Sequence, residues 1–191
     1  MTVAGGTYLD RRTEAFVAEV VEAIDAHVPV CEAFVLGSGA VGGFDSRRSD
    51  VDVVVVIERP LEAEKAALVE RLAALETPVR DLELVLYVEG RQPPDFELNL
   101  NGGVERPDAE PFWFVLDAAL AQEHAVPVWR GRPWSELFAP IPPERIREAA
   151  EQSLAWSARQ PAHDEFAGLN AARARHYLDH GEWISKKEAR R

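Results

Sequence analysis

Phe16, Val17, Val20, Val21 and Ile24 recur at three- and four-residue spacing, which predicts an amphipathic helix over 11–28, closed by Pro29. Residues 31–36 (CEAFVL) form a short apolar run that breaks into GSGAVGG, predicting a strand followed by a glycine-rich turn. DVDVVVVI, residues 50–57, is rich in β-branched side chains and predicts a buried strand. Pro60 interrupts the chain, and LEAEKAALVERLAAL predicts a second helix. Leu82, Leu84, Leu86 and Val88 alternate strictly, so a third strand is expected over about 79–88.

FELNL, near 96–100, predicts a shorter fourth strand; EPFWFVLDAALAQEH predicts a helix and VPVW a short extended piece. Beyond the prolines at 140–143 the pattern becomes helical. Two helices are expected, over 143–160 with Pro143 in the first turn and over 163–180 ended by Gly181. Ser185-Lys186-Lys187-Glu188 has the S-x-x-E form of a capping box, which opens a helix, yet only three residues follow it. The helical part therefore reads as incomplete. The expected class is α/β (α+β), a mixed sheet flanked by helices over 1–140, then a short helical region over 141–191.

Composition narrows the functions open to such a chain. Its 191 residues are 47% hydrophobic and 28% charged, which is globular and not disordered. Lys plus Arg is 21 and Asp plus Glu 33, a net charge of −12. A nucleic-acid partner normally demands a basic footprint, so none is expected; an acidic surface suits a small cationic ligand. Cys31 is the only cysteine, which excludes a disulfide framework and a cysteine-based zinc cluster. No secretory signal and no membrane-spanning apolar run is visible, so the expected location is the cytoplasm, as a monomer or homodimer.

Three features converge on one end of the expected sheet. Gly37-Ser38-Gly39 with Gly42-Gly43 follows a strand; glycines there let backbone N–H groups approach a phosphate, and Ser38 adds a hydroxyl donor. Ser49-Asp50-Val51-Asp52 heads the next strand, where Asp50 and Asp52 share a face. Two carboxylates beside an apolar run repel each other unless a cation compensates, and magnesium is the hard divalent ion suited to oxygen ligands. Asp81 and Glu83 lie opposite the Leu82/Leu84/Leu86 face, so either can approach the first pair across the ladder. Carboxylates on adjacent strands beside a phosphate-binding turn meet the needs of two-metal phosphoryl chemistry.

GSGAVGGFDSRRSDVD, from Gly37 to Asp52, resembles the Gly-Ser…Asp-x-Asp signature of the polymerase-β-like nucleotidyltransferase superfamily. RDLELVLY, QEHAVPVWRGRPWSELFAPIP and LNAARARHYLDHGEWISKKEA extend the resemblance to the streptomycin/spectinomycin (aminoglycoside) adenylyltransferase family. That resemblance implies transfer of AMP from ATP, with Asp50 and Asp52 as holders of two Mg2+ ions and Glu83, rather than Asp81, as catalytic base. Gly37, Ser38, Ser49, Arg173 and Lys186 would contact the nucleotide, and Trp156 and Asp164 a small cationic, aminoglycoside-like acceptor. Residues 171–191 hold six basic residues against three acidic ones, a suitable phosphate clamp in an acidic chain. After FELNL the chain reads NGG where drug-modifying members carry a tryptophan. Nucleotide transfer to a protein hydroxyl, and a catalytically silent nucleotide-binding module, are the alternatives.

His176 and His180 stand four apart on a helix, but HYLDH lacks the glutamate of H-E-x-x-H and a third ligand, so the pair reads as a helix face. The five tryptophans read as packing, with Trp156 the exception.

Overall fold

The computed structural model describes residues 6–190. Contacts divide the chain into two compact units: residues up to Asp108 with Ala121–Ala139, and Ala109–Leu120 with Pro140 onward. One edge of this division falls between Ala139 and Pro140, and the stretch Ala109–Leu120 groups with the second unit.

The first unit opens with α1 (Arg11–Asp25), where the Asp10 side chain accepts from the Thr13 N–H and caps the helix. Helix α1 stops short of the expected residue 28, since Val28 N–H returns to the Ile24 carbonyl in a closing turn. Strand β1 (Val30–Val35) follows, and then GSGAVGG departs from expectation: residues Gly37–Val41 wind into a short helix, α2, instead of a plain turn. Strands β2 (Val51–Ile57) and β3 (Leu82–Val88) flank α3 (Lys65–Ala73). The NGG stretch turns the chain between β4 (Leu98–Asn101) and β5 (Val104–Glu105). A two-residue strand, β6 (Val126–Pro127), completes one six-stranded sheet of order β5-β4-β3-β2-β1-β6.

Strands β2 and β3 are parallel, joined by the α3 crossover, and every other neighbouring pair is antiparallel. One face of the sheet carries Val51, Val53, Val55, Leu82, Leu84 and Leu86, which form a core with α1 and α3 residues such as Val20, Ile24 and Leu68. Each such fully buried aliphatic side chain stabilises the fold by roughly 1.5–3 kcal/mol. The opposite face is covered by aromatics. Phe34 meets Trp134 edge-on at 5.2 Å, Tyr87 meets Phe138 at 5.3 Å, and Trp134 stacks on Phe138 at 4.2 Å. Glu32 lies fully buried on β1 and accepts hydrogen bonds from the Arg132 N–H (2.6 Å) and Ala33 N–H (2.9 Å), so a carboxylate fastens the 130s segment to the sheet.

Helix α4 (Pro111–His124) contains the division between the units. In the second unit, α5 (Pro143–Ser157) packs on α6 (Glu165–His180), with Phe112, Val115, Leu116 and Ala149 buried together. Gly181 takes φ +76° and stops α6. The capping box forms as expected: Ser185 and Glu188 satisfy each other's backbone N–H groups and open α7 (Lys186–Ala189).

Candidate active site

In the first unit the acidic positions gather at the N-terminal ends of the two parallel strands. The β2/β3 register sets Asp52 directly beside Glu83, on the face opposite the aliphatic core. Gly37 explains how Asp52 fits. It has φ +55°, and a Cβ built on it would lie 2.0 Å from Asp52 Oδ2, so the carboxylate occupies the space a side chain would take. The Leu36 N–H donates to the Asp52 carbonyl at 2.9 Å and ties the end of β1 to the same point.

Glu83 is oriented from its other side. The register places it beside Asn101 of β4, and Asn101 Nδ2 donates to Glu83 Oε1 at 3.2 Å. Glu83 Oε2 accepts no hydrogen bond among the described residues. Asp81 turns elsewhere: its Oδ1 lies 3.0 Å from where a Cβ on Gly102 would be.

Asp50 departs from the expected convergence of carboxylates. Arg80 engages both of its oxygens, Nε donating to Oδ1 at 2.7 Å and Nη2 to Oδ2. These hydrogen bonds, then the charge of Asp50, raise the Arg80 pKa above its already high value, with Asp81 and Glu83 adding to the effect. Among the described residues no three His, Cys, Asp or Glu side chains are grouped so as to hold a metal ion. The donor chemistry nonetheless suits a hard divalent cation: carboxylate oxygens from Asp52 and Glu83 in register, Asp50 just before the strand, and a glycine cradle behind Asp52. The fit requires Asp50 to exchange its guanidinium partner.

Ser38 lies in the first turn of α2, beside Gly37. Ser49 closes the preceding loop, its Oγ accepting from the Asp45 N–H at 3.2 Å and its N–H donating to the Asp45 carbonyl at 2.7 Å. Arg80 and Asn101 were not among the residues singled out from sequence. Arg80 immediately precedes Asp81 in RDLELVLY, but only the strand register reveals what either residue faces.

The second unit holds the other candidates. Arg173 Nε donates to the Ile184 carbonyl at 2.9 Å, and its guanidinium lies 5.7 Å from the Trp183 ring centroid. Lys186 Nζ lies 5.7 Å from the Phe166 ring centroid. Trp156 meets Trp113 edge-on at 5.3 Å and Phe166 at 6.2 Å, in an aromatic cluster. Asp164 caps α6, its Oδ1 accepting from the Ala167 N–H at 3.0 Å. His176 and His180 adjoin, ring centroids 4.5 Å apart.

The mixed six-stranded sheet with its central parallel pair, flanked by helices, is a fold the chain shares with a solved adenyltransferase. Among solved structures the chain is similar to spectinomycin adenyltransferase AAD(9) from Enterococcus faecialis, determined with ATP and spectinomycin. The TM-score is 0.78 at 18% sequence identity, covering 95% of this chain and 81% of that one. No protein-family model matches the chain, and no curated protein matches it in sequence. Among the described residues no helix is long and apolar enough to cross a membrane.

Proposed function

We propose that the protein is a magnesium-dependent nucleotidyltransferase that moves AMP from ATP to a hydroxyl of a small cationic, aminoglycoside-like acceptor. The observation that carries this reading is the placement of Asp52 and Glu83 side by side at the start of parallel strands, with Asp52 seated against Gly37. The shared fold with an adenyltransferase solved with ATP and spectinomycin supports it.

In this reading Asp50 and Asp52 would hold magnesium, which when bound offsets triphosphate charge and favours departure of pyrophosphate. Glu83 takes the proton of the attacking hydroxyl at Oε2, while Asn101 holds Oε1 and fixes the carboxylate plane. The hydroxyl oxygen then forms its bond to the α-phosphorus as the bond to pyrophosphate breaks. Ser38 donates its hydroxyl to a phosphate oxygen, with Gly37 and Ser49 shaping the adjoining loops. Arg173 and Lys186 are the second unit's phosphate-binding candidates, and the Arg173–Ile184 hydrogen bond fastens the segment that leads into Lys186. Trp156 and Asp164 are its candidates for the acceptor. The net charge of −12 over the whole chain favours the approach of a cationic acceptor.

The deciding experiment is mass spectrometry of aminoglycosides and aminocyclitols after incubation with Mg-ATP. A mass gain of one AMP on one acceptor, lost in Asp50→Asn/Asp52→Asn, is expected. Unchanged small molecules, or a label found only on a polypeptide, would overturn the acceptor class. Transfer retained by the double variant would overturn the metal assignment.

A further inference from the structure

Asp50 and Arg80 differ sharply in their access to water. The Asp50 side chain is 13% exposed and Arg80 61% exposed. Arg80 is therefore the partner that can leave, since its guanidinium recovers hydration easily, whereas Asp50 remains within the protein. The backbone beneath the pair is fixed. The Val51 N–H donates to the Asp81 carbonyl at 3.0 Å, and the Arg80 N–H to the Ser49 carbonyl at 3.4 Å, so the two segments continue the parallel ladder. The guanidinium fork takes up both Asp50 oxygens, and a cation cannot share them on equal terms. Without a counter-charge Asp50 would add a further negative group two residues before Asp52, near the Asp81 and Glu83 charges that Arg80 also feels, which like-charge repulsion disfavours.

We infer that Arg80 is a resident counter-ion that competes with the divalent cation for Asp50, and so sets the cation concentration at which the site fills. This rests on the magnesium reading above. Arg80 is here a positioning residue: it holds Asp50 in place before loading and releases it on loading. Replacing it removes a competitor and a repelling positive charge together, so the cation should bind more tightly. Because the pair is largely exposed on the Arg80 side, the expected gain is modest, roughly three- to tenfold.

The test is binding of Mn2+ alone, followed by electron paramagnetic resonance, to the full chain and to Arg80→Gln, Arg80→Lys and Asp52→Asn. Arg80→Gln should bind Mn2+ roughly three- to tenfold more tightly than the parent, with Arg80→Lys between them because it keeps the charge and loses the fork. Thermal melting supplies a second readout: Arg80→Gln should melt lower without cation and gain more on adding Mn2+ than the parent does. Mn2+ binding that Asp52→Asn abolishes but Arg80→Gln leaves equal or weaker would overturn the counter-ion role alone. Mn2+ binding absent from every form, or indifferent to Asp52→Asn, would overturn the magnesium reading and this inference with it.

Discussion

Gly37→Ala tests whether the placement of Asp52 matters for the chemistry. Two costs arise at this one position. The backbone has φ +55°, and holding a non-glycine residue in that region costs roughly 1–2 kcal/mol. At about 2–4 °C per kcal/mol for a chain of this size, melting should fall by about 2–8 °C. The added Cβ also lies 2.0 Å from Asp52 Oδ2 and 2.9 Å from Asp52 Cγ, so the carboxylate must retreat. Displacement by about 1 Å near reacting atoms can lower the rate about a hundredfold. Gly43→Ala separates the two costs. It has φ +85° but nothing within 4 Å of its added Cβ, so it bears the backbone cost without touching Asp52. Pyrophosphate release and thermal melting are measured for both variants. Comparable destabilisation is expected, with a large loss of rate in Gly37→Ala only. Equal rates in the two variants would show that the contact with Asp52 has no part in catalysis.

Glu32→Ala strands one buried and one half-buried N–H group, so it should cost about 2 kcal/mol and lower the melting temperature by about 4–8 °C; an unchanged melt refutes the fastening role. The Cys31 thiol is pushed up to about 11, by burial first and then by the nearby Glu89 charge. Its alkylation should therefore be slow at pH 7–8, rise towards pH 11, and quicken in Glu89→Gln, as stopped-time thiol assays can check. Asp10 is held below its usual 3.8 by the Thr13 backbone N–H, with Ser46 and the Thr13 hydroxyl adding to it. A lowered folded-state pKa means its stabilisation is complete above 3.8 and fades as pH falls through the lower folded value, so Asp10→Ala should destabilise the protein at pH 7 by about 1 kcal/mol and by less in acid. Asp164→Asn keeps the cap on α6 and removes the charge: an unchanged melt with weaker acceptor binding assigns the charge to the acceptor, whereas unchanged binding leaves Asp164 as a cap alone.

Much of the sheet was legible because its signals are local. Alternation in LELVLYV and the β-branched run VDVVVVI give β3 and β2, and the side-chain parity of Asp50, Asp52 and Glu83 follows from the same period. The ends of elements were harder to read. Leu82 begins β3 three residues later than expected, since residues 79–81 serve the approach to the strand, and GSGAVGG coils into a helical turn because Gly37 can adopt positive φ. Pairings across the sheet have no local signal at all. Asn101 becomes the partner of Glu83 only through the β3/β4 register, and Arg80 reaches Asp50 only because β2 and β3 are neighbours. Asp164 fell inside the helix expected over 163–180, whereas α6 starts at Glu165 and Asp164 caps it, a role that its acidic side chain suits.

The parallel pairing of β2 and β3 has a consequence for how the protein comes to exist. Parallel neighbours cannot be joined by a tight hairpin, so Asp52 and Glu83 become adjacent only once the chain has passed through α3 and returned. A nascent chain can zip β1 onto β2 without ever assembling its pair of acids. The mutual repulsion of those acids is thus deferred to the docking of β3, the same topologically demanding step that buries Leu82, Leu84 and Leu86 and so offsets it.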